Sequence, residues 1–165
     1  MLMTYRLMVL SLASVVFAAS ACDDSDLARR QEEVAEAGRA VMPFDLEATT
    51  HVFRKRPDGG LQTVLADGDD AEQVQLIRAH LSDEASRFAR GDFHDPAMIH
   101  GEDMAGLHAL VVGYESVRVE YREVERGAEI TYVSDDPALV EAIHEWFDAQ
   151  LRDHGRHAVS SVESR

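Results

Sequence analysis

DFHDPAMIHGEDMAGLHAL, residues 92–110, divides the chain into two halves that carry the same order of local signals. Before it, residues 49–56 (TTHVFRKR) are β-rich. Pro57-Asp58-Gly59-Gly60 is a turn signal, because Gly tolerates positive φ, and residues 61–66 read as the returning strand. Asp70 is placed to cap a helix over 71–90, where Val74, Ile77, Leu81, Ala85 and Phe88 form one apolar stripe. Arg87 and Arg90 suit the last turn of that helix, and Gly91 closes it. After the stretch the order returns. Val117, Val119 and Tyr121 alternate with Arg118, Glu120 and Arg122, as in a half-buried strand. Glu125-Arg126-Gly127 turns the chain, 128–134 is the partner strand, and Asp136-Pro137 is an N-cap followed by proline at the first helical position. Leu139, Val140, Ile143, Phe147 and Leu151 then define the final helix, ending near Gly155.

The halves can be laid on one another: Thr63-Val64-Leu65 on Thr131-Tyr132-Val133, Asp70 on Asp136, Val74 on Val140, Ile77 on Ile143, and Leu81 on Phe147. Either a duplication or the frequency of ββα units produces this match. Both give the same expectation. The fold class is α+β, with two ββα units forming one antiparallel sheet, helices on one face, and a bridging helix between the units. The domain spans 42–155, with units over 42–91 and 114–155 joined by a bridging segment over 92–113.

The bridge holds the candidate chemistry. Residues 92–99 read as a loop, Glu102 and Asp103 as acids favoured at a helix start, and 104–112 as a buried helix that Gly113 stops. His100, Met104 and His108 recur every fourth residue and share one side of any helix that begins at His100. His94 and Met98 precede them. Imidazole nitrogen with thioether sulfur suits copper, Cu(I) above all. The competing reading makes Met104, Leu107 and Val111 a core stripe, with Met as gap filler. A second candidate metal set is His80 with Glu84, one helical turn apart, and His51 from the first strand. At that spacing His80 and Glu84 also make an ordinary surface pair. His154 and His157 fall in the fraying end of the last helix. No Gly-rich phosphate loop, G-x-S-x-G elbow, H-E-x-x-H helix, EF-hand loop or C-x-x-C-H attachment is present, and no nucleophile–base pair can be picked out.

The start of the chain concerns export rather than fold. Residues 7–18 are an apolar run the length of a signal-peptide core, after one positive charge at Arg6. Ala19-Ser20-Ala21 supplies small residues for cleavage, and Cys22, the single cysteine of the 165 residues, follows. This resembles the lipobox of bacterial lipoproteins, in which the cysteine is lipidated. Residues 1–21 are then a signal peptide and 22–41 a polar, alanine-rich tether. The protein faces the periplasm, and Asp23 resembles an inner-membrane retention signal. Residues 156–165 read as a disordered tail. With Cys22 lipidated, no thiol remains for a disulfide or a zinc knuckle. The net charge of −15 argues against nucleic acid as a partner.

The segments MPFDLEATTHVF (42–53), IRAHLSDEASRFARGDF (77–93) and IHGEDMAGLHAL (99–110) make the chain similar to a family of small exported bacterial proteins of unknown role. Some members carry the label aspartate carbamoyltransferase, but the S-T-R-T-R carbamoyl-phosphate motif of that enzyme is absent here. The resemblance implies no catalytic residues and directs attention to His51, His80, Glu84, Phe93, His100 and Met104. Two functional expectations result. One is a periplasm-facing lipoprotein that sequesters or delivers copper or a similar cation through His100 and Met104, completed by His94, Met98 or His108. The other is a metal-free module that docks a protein partner in the envelope.

Overall fold

The computed structural model describes residues 18–161, with side chains from residue 24 onward. The expected leader up to residue 17 and the side chain of Cys22 lie outside the described residues. Both ββα units form where the sequence places them. The first consists of β1 (Thr49–Arg56), β2 (Gly59–Ala66) and α2 (Ala71–Phe88). The second consists of β3 (Arg118–Val124), β4 (Gly127–Val133) and α5 (Pro137–His154). The Asp70 carboxylate accepts from the backbone N–H groups of Glu72 and Gln73, and Asp136 accepts from Ala138. These aspartates satisfy donors that a helix start otherwise leaves unbonded.

The two hairpins join through their second strands, giving the order β3-β4-β2-β1-β5. The β2–β4 ladder obeys a two-fold relation between the halves. Gln62 faces Ile130, its counterpart in the alignment of the two units. Leu61 pairs with Thr131, and their counterparts Glu129 and Thr63 also pair. The helices α2 and α5 pack on this sheet, α2 over β3, β4 and β2, and α5 over β2 and β1. The core between them holds Phe53, Val64, Ile77, Leu81, Phe88, Ile130, Tyr132, Ile143, Trp146 and Phe147, all at most 2 % exposed.

Three expectations need correction. First, residues 22–41 are not a loose tether. The helix α1 spans Ala18–Val41 and lies against α5 and against α3 (His94–His100). Its contact face is narrow, with Arg30, Val34 and Gly38 at four-residue spacing. Val34 is 1 % exposed, Gly38 lies against Leu46, and Arg30 makes an ion pair described below. One apolar residue in such a stripe is too little to register as amphipathicity, and polar contacts of Arg30 and Gln31, the latter donating to the Arg152 carbonyl oxygen at 2.8 Å, supply the rest. Second, the tail is structured at its start. β5 (Ala158–Val159) pairs with β1 in parallel, so the sheet is mixed rather than wholly antiparallel.

Third, the bridge is two short helices, α3 and α4 (Leu107–Gly113), rather than one. Gly101 and Gly106 hold positive φ of 89° and 76° and break the helical path between them. Gly106 is also pressed on α5: a Cβ there would stand 2.1 Å from the Ala142 carbonyl oxygen. Only glycine meets both demands. The break separates His100, at the end of α3, from Met104 and His108, so the three do not share a helical face.

Candidate functional site

Side chains from both units, and from the bridge, meet at one buried chamber between the sheet and its helices. His51 and Phe53 reach it from β1, and Gln62 and Val64 from β2. His80 and Glu84 come from α2, His100 from α3, and Gln150 and His154 from α5. Met42 and Phe44 close it beside α1. Its free volume is about 20 Å³. That is room for one water-sized species and for no organic ligand.

The strand period explains the sheet side. Thr49, His51 and Phe53 share one side of β1 and Thr50 and Val52 the other, so His51 lies on the same face as Phe53, opposite Val64. On α5 the apolar stripe continues from Ile143 and Phe147 through Gln150 to His154 at the same spacing, and both of these polar residues are buried. On α2, Glu84 falls between Leu81 and Phe88 on the buried face. The polar side chains of the chamber therefore occupy positions that a plain core would give to Leu or Val, among apolar neighbours such as Phe53 and Val64.

Its electrostatics divide into two parts. His51 is 4 % exposed, and its Nε2 has no hydrogen-bond partner among the described residues; neither has Oε1 of Gln150. The His51 and His154 rings stand 5.4 Å apart, and those of His100 and His154 4.9 Å apart. Burial holds His51 down to about 4, aided by repulsion from the other imidazoles. His154 lies well below the ordinary histidine range, through burial and then through His51 and His100. Both are neutral imidazoles at neutral pH. The other part is anionic. The Glu84 carboxylate is 3.6 Å from Nε2 of His80. Burial opposes charge on His80, but the hydrogen bond and attraction of Glu84 outweigh it and raise His80 above its ordinary value.

Asp153, with no exposed surface, sits behind His100 and accepts from its Nδ1 at 3.0 Å. Arg30 of α1 bonds the same carboxylate oxygen at 2.8 Å and the His100 carbonyl oxygen at 2.7 Å. Arg152 bonds the other oxygen at 2.9 Å. Burial disfavours the Asp153 anion, but the His100 hydrogen bond and Arg30 hold its carboxyl well below the usual carboxylate range. An ionised Asp153 accepts only, so a neutral His100 carries its proton on Nδ1 and keeps the Nε2 lone pair free. This carboxylate–imidazole arrangement is the one that orients metal-binding histidines. Nearby, the buried Tyr132 hydroxyl donates to Oε1 of Gln62 at 2.7 Å, leaving the Gln62 amide nitrogen as a donor.

Of the residues singled out from sequence, His51, His80, Glu84 and His100 converge on the chamber. The His/Met set of the bridge is not brought together. Met104 is 7 % exposed, packs in the hydrophobic core, and borders an outer cleft with His100 that is flanked by Arg30 and Arg152. Asp103 and Asp153 line the same cleft, so its two guanidinium groups are matched by two carboxylates, and Arg30 and Arg152 are both paired to Asp153. Met98 is 57 % exposed, and His94 and His108 line a separate surface cleft beside Glu102. Sequence reasoning missed His154, Gln150, Gln62, Met42 and Asp153. His154 was placed in a fraying helix end, but α5 is helical through it and β5 closes over the same edge, with Ala158 paired to His51. The polar interruption of the α5 stripe was the available signal.

Among the described residues, no three His, Cys, Asp or Glu side chains are posed to hold one metal ion. Nor is any helix among them long and apolar enough to cross a membrane. No protein-family model, curated protein or solved structure matches the chain.

Proposed function

We propose that this protein is an exported, lipid-anchored binding domain of the bacterial envelope that holds a single cation, copper foremost, in the imidazole-lined chamber. The observation that carries this reading is the Nε2 of His51, buried and unbonded. It stands beside a second neutral imidazole, on His154, and an unbonded amide oxygen, on Gln150. A buried nitrogen lone pair without a donor costs stability, and a bound cation removes that cost. The donor set of two neutral imidazoles with the Met42 thioether at the same chamber suits Cu(I). That ion accepts two or three soft ligands and needs no third His, Asp or Glu. The volume admits a bare ion rather than a hydrated one. The Glu84 carboxylate lines the chamber, and the acidity of the whole chain favours cations. Thioether and imidazole remain the ligand types expected from sequence, with Met42 in the place given to Met104.

The test is Cu(I) uptake by the full chain in detergent, under reducing conditions against a chromogenic chelator, with Zn²⁺ titrated in parallel. His51→Leu and His154→Leu should each abolish stoichiometric uptake while Trp146 fluorescence reports an intact core. Met42→Leu should weaken Cu(I) and spare Zn²⁺. The pair His94→Ala plus His108→Ala should change nothing. Uptake that survives loss of both His51 and His154 refutes the assignment.

One observation favours the second reading. The chamber also fits one water molecule linking Nε2 of His51 to Oε1 of Gln150. The domain would then be a metal-free module that acts by contact with an envelope protein. Wild-type protein that takes up neither metal, with one dominant product on crosslinking in membranes, would support that reading over the first.

A further inference from the structure

The two-fold relation between the halves leaves an asymmetry at the sheet margins. β1 has β5 on its outer side, whereas β3, its counterpart, ends the sheet among the described residues. β3 is seven residues long, and its side chains are exposed or half-buried throughout. An uncovered strand of this length offers a row of unpaired backbone groups to another chain. Arg78 already caps one end, donating to the Val124 carbonyl oxygen at 2.8 Å.

The sequence of β3, Arg118-Val-Glu-Tyr-Arg-Glu-Val124, is self-complementary in one register. When two copies pair antiparallel about a two-fold axis normal to the sheet, an identical residue from each copy meets on the axis. An axis at Glu120 sets glutamate against glutamate, and an axis at Arg122 sets arginine against arginine. Directly opposed like charges are destabilising. An axis at Tyr121 sets Glu120 against Arg122 twice, Arg118 against Val124 and Val119 against Glu123, using every residue of the strand. An axis at Val119 also opposes Arg118 to Glu120, but it runs into the 3-10 turn at Tyr114–Ser116 and shortens the ladder. The strand carries two arginines and two glutamates, so it is neutral in a chain of net charge −15. Approach along this edge therefore avoids much of the self-repulsion that opposes contact elsewhere.

We propose that two copies of this chain join through β3, antiparallel about Tyr121, so that Glu120 of each faces Arg122 of the other and the two sheets become continuous. The occupant of the edge is a second copy because the charge pattern of β3 answers itself. Arg118–Glu120 at 2.9 Å and Arg122–Glu129 at 2.6 Å hold the two key side chains extended on one face, 61 % and 70 % exposed. The inference is independent of cation binding.

Sedimentation equilibrium of the full chain in density-matched detergent tests it. Wild type should dimerise. Glu120→Arg alone and Arg122→Glu alone should each raise the dimer dissociation constant about tenfold or more, since each opposes like charges twice. An equimolar mixture of the two single variants should recover association as a heterodimer, because arginines then face glutamates. As a check that does not perturb these charges, Tyr121→Cys should form a disulfide-linked dimer under mild oxidation. Residues opposite one another in an antiparallel pair have Cα separations of about 4.5–5.5 Å, within disulfide reach. Val112→Cys, 71 % exposed on α4, should not, and Cys22 is common to both variants. Monomeric wild type overturns the proposal. So does a mixture that fails to associate while each variant alone stays folded, or equal crosslinking at positions 112 and 121.

Discussion

Replacing His51 by Leu should remove a defined share of the acid sensitivity of this fold, and the size of the effect can be worked from the burial of one ring. His51 titrates at about 4 in the folded chain and at 6.5 when free. As the pH falls, the unfolded chain therefore takes up the proton first. The stability due to a neutral His51 is fully present above pH 6.5 and is lost as the pH falls toward 4. A difference of this size corresponds to about 3 kcal/mol once the pH is below both values, and to about 2 kcal/mol at pH 4.5. His154 acts with the same sign. His80 opposes it: its folded value is raised, so its contribution is present below pH 6.5 and is lost as the pH rises through the folded value. Asp153 adds its own acid loss only below its unfolded value of 3.8. Between pH 7 and 4.5 the exposed Glu47, whose folded value is lowered from 4.5, enters only at the acid end and is common to wild type and His51→Leu, so their difference reports His51. The assay is urea unfolding of chelator-treated protein, followed by fluorescence of the only tryptophan, Trp146, which is 1 % exposed. Wild type should lose at least about 2 kcal/mol across the interval. His51→Leu should lose about 2 kcal/mol less, and at pH 7 it should gain about 1 kcal/mol because the unbonded Nε2 is gone. A wild-type stability that is flat from pH 7 to 4.5, or a full slope retained by His51→Leu, would refute the reasoning.

Asp153→Asn should loosen α1 from the domain. Breaking a fully buried ion pair costs about 3–5 kcal/mol, but Arg30 and Arg152 are 36 % and 57 % exposed, so about 1–2 kcal/mol is expected after screening. Hydrogen exchange of the α1 amides should accelerate while β2 and β4 stay protected, and unchanged α1 protection would count against the latch. Gly106→Ala should destabilise the chain by about 2–4 kcal/mol, because positive φ and the Ala142 carbonyl both oppose a side chain there. A urea midpoint within error of wild type would show that the two bridge helices tolerate being merged.

The sequence made the two ββα units legible because each strand alternates, each helix keeps one stripe, and Asp70 and Asp136 mark the helix starts. It did not reveal that β2 and β4 are neighbours, since both hairpins read alike whichever strands meet. The helix α1 escaped because its docking face contains Val34 and little else that is apolar, the remainder being an arginine matched to a distant aspartate. The tail escaped because two residues of strand carry no periodicity. Half of the site residues picked from sequence, His51, His80, Glu84 and His100, do share a chamber, for a reason spacing cannot supply: they come from three elements that only the packed sheet brings together. Met104 and His108 join His100 only on an unbroken helix, which the positive φ at Gly101 and Gly106 interrupts, while His94 and Met98, expected on a loop before it, lie on the surface and away from the chamber. Gln150 and His154 were readable in principle as polar residues on the stripe that begins at Ile143.

The strand β5 has a consequence for the order of events during biogenesis. Its Ala158 borders His51, while Gln150 and His154 come from the last helix. A chain is made from its first residue to its last, so the earlier imidazoles wait, open to solvent, until α5 and β5 have emerged. The chamber cannot close on a nascent chain whose last helix is still inside the ribosome. Whatever it encloses is acquired only after α5 and β5 have been made.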